Sequence, residues 1–138
     1  IGSAARIREG SDVTVVATSY MTHVCAQAAT SLEARGIDVE LIDARTIKPL
    51  DEESILQSVR KTGRLVVVDA AWRTCGVAAE IAATIGEKAF GFLQAPIRRV
   101  TLPDAPAPMS VALEKAYYIT AEDVVAAVEA TLGMVQSA

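Results

Sequence analysis

Strands alternate with helices along this chain, which predicts an α/β fold with three layers: a mostly parallel twisted sheet with helices on both faces. Three observations carry that prediction. Short runs rich in β-branched residues recur at Val13-Thr14-Val15-Val16-Ala17, Val39-Glu40-Leu41-Ile42-Asp43 and Leu65-Val66-Val67-Val68. Between them, apolar residues return at helical spacing. The strand runs are nearly continuous in apolar character, as in strands covered on both faces, and their crossovers should be right-handed.

Each element has its own signal. Ala4 to Arg8 can add an edge strand before the Val13–Ala17 run. Met21, Val24, Cys25, Ala28 and Leu32 then mark a helix that ends at Gly36, a residue suited to a helix C-terminus. After the Val39–Asp43 strand, Pro49 and the acids Asp51-Glu52-Glu53 open a second helix, their charge opposing the positive end of its dipole. That helix turns Ile55, Leu56 and Val59 inward and stops at Gly63. A third helix follows the Leu65–Val68 strand from about Gly76, with Val77, Ile81 and Ile85 on one face. Ile97–Thr101 reads as a fourth, more amphiphilic strand. Pro103, Pro106 and Pro108 make Leu102 to Ser110 a stiff extended arm over the surface. The last helix opens at Thr120, with Asp123 three residues on as a capping box and Val124, Val125, Val128 and Leu132 as its apolar stripe.

Composition narrows the function classes. At 138 residues the chain is one domain, residues 1–138, and 51% hydrophobic content excludes disorder. A net charge of −4 offers no electrostatic case for nucleic acid or an anionic membrane. No apolar run has the length of a membrane span. The N-terminus, Ile1-Gly2-Ser3-Ala4-Ala5-Arg6, has neither a signal layout nor an initiator Met, so the chain is expected to begin inside a longer reading frame or after processing. Cys25 and Cys75 are expected to be reduced, buried thiols in a protein of the cytoplasm, or of the mitochondrial matrix in a eukaryote.

In an open α/β sheet ligands bind beyond the carboxyl ends of the strands. Those ends are Thr18-Ser19-Tyr20, Ala44-Arg45-Thr46, Ala70-Ala71-Trp72-Arg73 and Leu102-Pro103-Asp104, and none is a glycine-rich phosphate loop. Cys75-Gly76 at a helix start can offer backbone N–H groups to an anion, though Gly76 is more simply a tight-turn residue. His23 is the only histidine. It lies two residues from Cys25, on nearly the opposite helix face, so the two form no nucleophilic pair, and His23 is expected to be partly buried or at an interface. One histidine and two distant cysteines build no zinc site, and Asp51-Glu52-Glu53 is a helix start before it is a cation site. No catalytic, cofactor-binding or metal-binding residue is therefore assigned. Trp72 and Arg73 carry two open readings. In one, Trp72 covers the sheet end and Arg73 pairs with Asp43 or Asp69. In the other, both face a subunit interface, where Trp and Arg are enriched.

Several segments in order then resemble one family. They are Gly2-Ser3-Ala4, Arg8-Glu9-Gly10-Ser11-Asp12-Val13, Gly36-Ile37 with Val39 through Asp51, Lys61-Thr62-Gly63-Arg64-Leu65, and the strand-turn-helix stretch Val66 to Gly76. Ala95-Pro96-Ile97-Arg98-Arg99-Val100-Thr101, Pro103-Asp104 and Leu113-Glu114 complete the set. Together they resemble the C-terminal, transketolase-like domain of E1 β subunits of thiamine diphosphate-dependent 2-oxoacid dehydrogenases, over essentially the whole chain. The chain departs at Ala70, where relatives usually carry an acid, at Cys75, where they carry glycine, and at Met109, where an aromatic is frequent.

The resemblance implies a part of an enzyme that oxidatively decarboxylates a 2-oxoacid, most often pyruvate, and reductively acylates E2 lipoyl groups. It implies that thiamine diphosphate and Mg²⁺ sit between other domains, none being bound here, and that this domain alone is inert. The implied partners are the E1 α subunit, a second E1 β subunit and the subunit-binding domain of the E2 acyltransferase, with no nucleic acid and no membrane. Phe92, Leu93 and Gln94 with the C-terminal helix are the expected E2-docking surface. Two alternatives are kept: a self-standing small-anion binding or regulatory module of the same fold, and the equivalent domain of branched-chain 2-oxoacid or acetoin dehydrogenase, transketolase or deoxyxylulose-phosphate synthase.

Overall fold

A computed structural model describes residues 1–133. Its strands are β1 (Ala5–Arg8), β2 (Val13–Ala17), β3 (Val39–Asp43), β4 (Leu65–Trp72) and β5 (Arg98–Leu102). Its helices are α1 (Met21–Glu33), α2 (Glu52–Thr62), α3 (Val77–Ala89), α4 (Val111–Tyr117) and α5 (Ala121–Thr131). The strands form one sheet in the order β1-β3-β2-β4-β5, with β1 antiparallel to β3 and the other pairs parallel. This is the expected α/β architecture, edge strand included. Every residue of β2 is buried, and burial on both faces places it at the centre. The chain passes from β2 to β3 on one side and returns to β4 on the other. The strand order therefore reverses between β2 and β4, the position where open α/β sheets present their carboxyl-end crevice.

Two apolar layers hold the sheet. On one face α1 and α5 pack Cys25, Ala28, Leu32, Val124 and Val128 against Val13, Val15, Leu41, Val66 and Val68. On the other, α2 and α3 pack Ile55, Val59, Ile81 and Ile85 against Val16, Ile42, Leu65 and Val67. The alternation of Val15 and Val66 to one layer and Val16 and Val67 to the other is the strand period of two made visible.

The helix ends follow their sequence signals. Asp51 is the N-cap of α2 and accepts from the Ser54 backbone N–H at 3.2 Å. Its second oxygen accepts from the Ala4 backbone N–H at 2.8 Å, and these bonds, that of Ala4 foremost, hold the Asp51 carboxyl below the usual range. Gly63 closes α2 at φ +68°, a conformation that a side chain makes unfavourable. Thr120 and Asp123 form the capping box of α5.

Polar side chains are buried as well, and two sets of them tie elements together. The Thr14 hydroxyl lies 2.7 Å from both the Ser58 and the Thr62 hydroxyls, stitching β2 to α2. Glu40 in β3 is fully buried. It accepts from the Gly10 backbone N–H at 3.3 Å, pairs with Lys61, and lies 3.5 Å from the Arg6 Nε. Desolvation pushes its pKa up, but the bonds from Lys61, Ser58 and Gly10 outweigh that and leave it lowered. Glu40 thus clips β1 and the Gly10 turn to the sheet and to the end of α2.

Two features differ from the sequence reading. Strand β4 runs to Trp72, beyond the apolar run, because β5 keeps pairing across a bulge: Asp69 opposes Thr101 and then Trp72 opposes Leu102. Helix α4 was not expected at all. It has no buried residue, so no apolar stripe announces it, and three prolines precede it.

Candidate functional site

The carboxyl end of the sheet is where the chain takes its least ordinary backbone conformations. Ser19, Arg45 and Cys75 have φ of 49°, 54° and 60°, and they lie just past β2, β3 and β4. Each turns a strand end toward the helix that follows. Residues with side chains rarely adopt this region. At position 75 this explains why a glycine would be at home there.

Trp72, at the end of β4, is half exposed at 54%. Its indole N–H donates to the Tyr117 hydroxyl at 3.3 Å, and that hydroxyl donates to the Ala105 carbonyl at 2.7 Å. Thr74 donates through its backbone N–H and its hydroxyl to Asp104, at 2.9 and 2.7 Å. These bonds, the backbone one first, draw the Asp104 carboxyl below its usual range, with Arg73 adding to the effect. The expected proline arm is thus pinned to the end of β4 by a threonine, a tyrosine and a tryptophan.

Arg73 pairs with neither Asp43 nor Asp69. It lies on the β5 side, where its guanidinium donates to the Arg99 carbonyl at 3.2 Å while that of Arg99 donates back to the Arg73 carbonyl at 3.0 Å. Asp43 lies 3.5 Å from Arg45 instead, and Asp69 accepts from the Thr18 hydroxyl at 2.6 Å. Arg73 and Arg99 flank an open groove of about 450 Å³, shared with Pro103, Tyr117, Tyr118 and Asp123. Tyr118 of that groove is exposed, as are Met109, Val111 and Leu113 in the arm and α4. This end of the sheet therefore offers a preorganised surface that carries two guanidiniums beside apolar side chains.

The second predicted cluster lies elsewhere. The Gln94 backbone N–H donates to the Gly63 carbonyl at 2.8 Å, next to the start of β4 and so at the far end of that strand from Trp72. Leu93 packs partly buried against the α2–α3 layer. Phe92 is half exposed, with the Arg60 guanidinium 5.7 Å from its ring centre. Helix α5 belongs to the opposite face of the sheet, so Phe92-Leu93-Gln94 and the C-terminal helix do not share a surface.

Other candidates are corrected in place. His23 is exposed rather than partly buried, because α1 turns Val24 and Cys25 inward; its ring centre is 6.0 Å from that of Tyr20. Cys25 is buried, and desolvation pushes its thiol up to about 12. Cys75 is exposed, since it occupies the turn itself. Gly76 closes the turn after β4 with an ordinary φ of −74°. A Cβ there would lie 2.3 Å from the Trp72 carbonyl oxygen, so close approach demands the glycine. No group of three or more His, Cys, Asp and Glu side chains is arranged for a metal ion among the described residues. Nor is any helix among them long and apolar enough to cross a membrane.

Sequence reasoning missed Tyr117 and the exposed apolar residues of α4. One signal was available: aromatic residues make up only 4% of the chain, and two of its three tyrosines are adjacent at 117 and 118.

Comparisons with known proteins agree with this architecture. The family described as "Transketolase, C-terminal domain" matches residues 2–124. Acetoin:2,6-dichlorophenolindophenol oxidoreductase subunit beta of Bacillus subtilis is 41% identical over 133 residues, 96% of this chain and 39% of that protein. Pyruvate dehydrogenase E1 component subunit beta of Rickettsia felis is 45% identical over 128 residues, 93% of this chain and 39% of that one. A solved structure, "Split gene transketolase, inactive beta4 tetramer", superposes with a TM-score of 0.83 at 34% identity, over 96% of this chain and 42% of its own. The chain thus spans about two fifths of the length of the relatives it matches.

Proposed function

The chain belongs to the transketolase C-terminal domain family, and from that premise we propose that it is the C-terminal assembly domain of the E1 β subunit of a 2-oxoacid dehydrogenase, most often pyruvate dehydrogenase. In this reading the whole enzyme decarboxylates its 2-oxoacid with thiamine diphosphate and Mg²⁺ and passes the acyl group to E2 lipoyl groups. Residues 1–138 make one domain of the longer β chain, in the cytoplasm or the mitochondrial matrix. It supports association with the α subunit and a second β subunit, helps dock E2, and turns over no substrate alone. The identity to the acetoin oxidoreductase β subunit is similar, and the choice of substrate belongs to the pocket where its carbonyl sits, in other parts of the enzyme.

In this reading the cofactor sits elsewhere in the enzyme. The strand-end loops carry no glycine-rich phosphate cradle, and the described acids form no ligand cluster for Mg²⁺.

One observation carries the assembly role: the exposed Trp72 held beside a helix, α4, that buries nothing of its own. Apolar surface of this kind marks interaction sites. The exposed half of an indole side chain, about 100 Å², is worth about 2 kcal/mol if a partner covers it. Trp72→Ala should therefore weaken association with the rest of E1 by about 2 kcal/mol in sedimentation, and lower the stability of the isolated chain by less, since water can refill a rim position. Equal losses in sedimentation and in thermal melts would sink the interface role.

A further inference from the structure

Arg73 and Arg99 present an arrangement that the fold alone does not explain. Each of the two guanidiniums is held by a bond to the other residue's backbone carbonyl, and both line one groove. Each uses a single Nη1 donor in this way, and neither forms an ion pair among the described residues. The acids nearest them are already engaged. Asp104 accepts both donors of Thr74, one on each oxygen, and a single carboxylate oxygen of Asp123 accepts from the Thr120 backbone N–H at 2.8 Å and from its hydroxyl at 2.9 Å. The guanidiniums' forks of free N–H groups match a carboxylate in two-pronged geometry. The open groove they line is bordered by Pro103, Ala116, Tyr117, Tyr118 and Ile119, an apolar rim suited to a protein chain rather than to an enclosed small molecule.

We infer that the Arg73–Arg99 groove receives an Asp or Glu side chain of a non-identical partner subunit, the apolar rim packing against the residues that flank it. This rests on the assembly role proposed above and names its polar anchor. Charge complementarity chooses the occupant. A second copy docking by the same face would bring four guanidiniums together while its own Asp104 and Asp123 remain engaged, so a different, acid-bearing chain fits better.

The test uses the assembled complex that contains this chain. Sedimentation of the wild type first establishes that the chain is in an assembly; a chain that sediments alone overturns the assembly role and this inference with it. In that complex, R73E combined with R99Q should weaken association about 30-fold or more, with the loss shrinking as salt rises from 50 to 500 mM. Thermal melts of the isolated variant show that it remains folded, and R73K, which keeps the charge but loses the two-pronged fork, should assemble less tightly than the wild type and more tightly than R73E/R99Q. Carbodiimide treatment of the R73K complex then reads the partner directly: an amide forms between the lysine amine and a carboxylate, with the carbodiimide taking up the water lost. A cross-link from position 73 to an Asp or Glu of another kind of subunit is the expected result. A cross-link to Asp104, to Asp123 or to a second copy, or an R73E/R99Q complex as tight as wild type, overturns the inference while leaving the assembly role intact.

Discussion

Replacing Cys75 by glycine should make this protein more stable, and replacing its neighbour Gly76 by alanine should make it much less so. Cys75 sits at φ +60° with its side chain in solvent. The left-handed conformation costs a side-chain-bearing residue about 1–2 kcal/mol, and the greater freedom of glycine in the unfolded chain takes back about 0.5–1 kcal/mol. The net gain for Cys75→Gly is about 0.5–1 kcal/mol, or a rise in Tm of about 2–3 °C for a chain of this size. Cys75→Ala keeps the Cβ and loses only an exposed sulfur, so it should stay near the wild type and serve as the reference. Gly76 has an ordinary φ of −74°, so alanine there is not a conformational problem. Its Cβ, however, would come 2.3 Å from the Trp72 carbonyl oxygen, and relieving that backbone overlap should cost about 2–3 kcal/mol. Urea unfolding of the three variants, with equal m-values, measures both effects. A Cys75→Gly variant no more stable than Cys75→Ala would refute the reasoning from backbone strain.

Three further outcomes are expected. Gly10→Ala places a Cβ 2.2 Å from the Val39 carbonyl carbon and 2.4 Å from the Glu40 nitrogen; neither can yield, and urea titration should show a loss of about 3 kcal/mol. Because the folded pKa of Glu40 is lowered, its contribution is fully present above the unfolded value of about 4.3 and is lost as pH falls through the folded value. Stability measured from pH 6 to pH 3 should therefore fall more for the wild type than for Glu40→Gln, and parallel profiles would remove Glu40 from that role. Thiol titration of the native chain at pH 8 should label Cys75 quickly, while Cys25, buried with its pKa near 12, reacts only after denaturant is added; two equally fast thiols would contradict the burial.

Elements that bury an apolar face were readable in advance, because burial writes its period into the residues. The β2 and β3 bounds follow directly from Val13–Ala17 and Val39–Asp43, and α2 and α5 follow from their caps and stripes. The family itself was legible from an ordered set of such segments. The site was only half legible. Trp72 and Arg73 drew notice by residue type at a strand end, but their partners Tyr117 and Arg99 lie 45 and 26 positions along the chain, and no local pattern links them.

What the sequence by itself determined, then, was the α/β class, the helix stops at Gly63 and Gly36, and the two apolar layers, since these depend on neighbours within a turn or a strand. The tertiary structure alone decided the rest. It lengthened β4 to Trp72 through pairing with β5, shaped α4 without a buried face, and turned Arg73 toward Arg99 rather than toward an acid. It also set the Phe92–Gln94 segment apart from the C-terminal helix. Each of these depends on which strand lies beside which, and that order comes from the packing of both faces at once rather than from any one stretch of the chain.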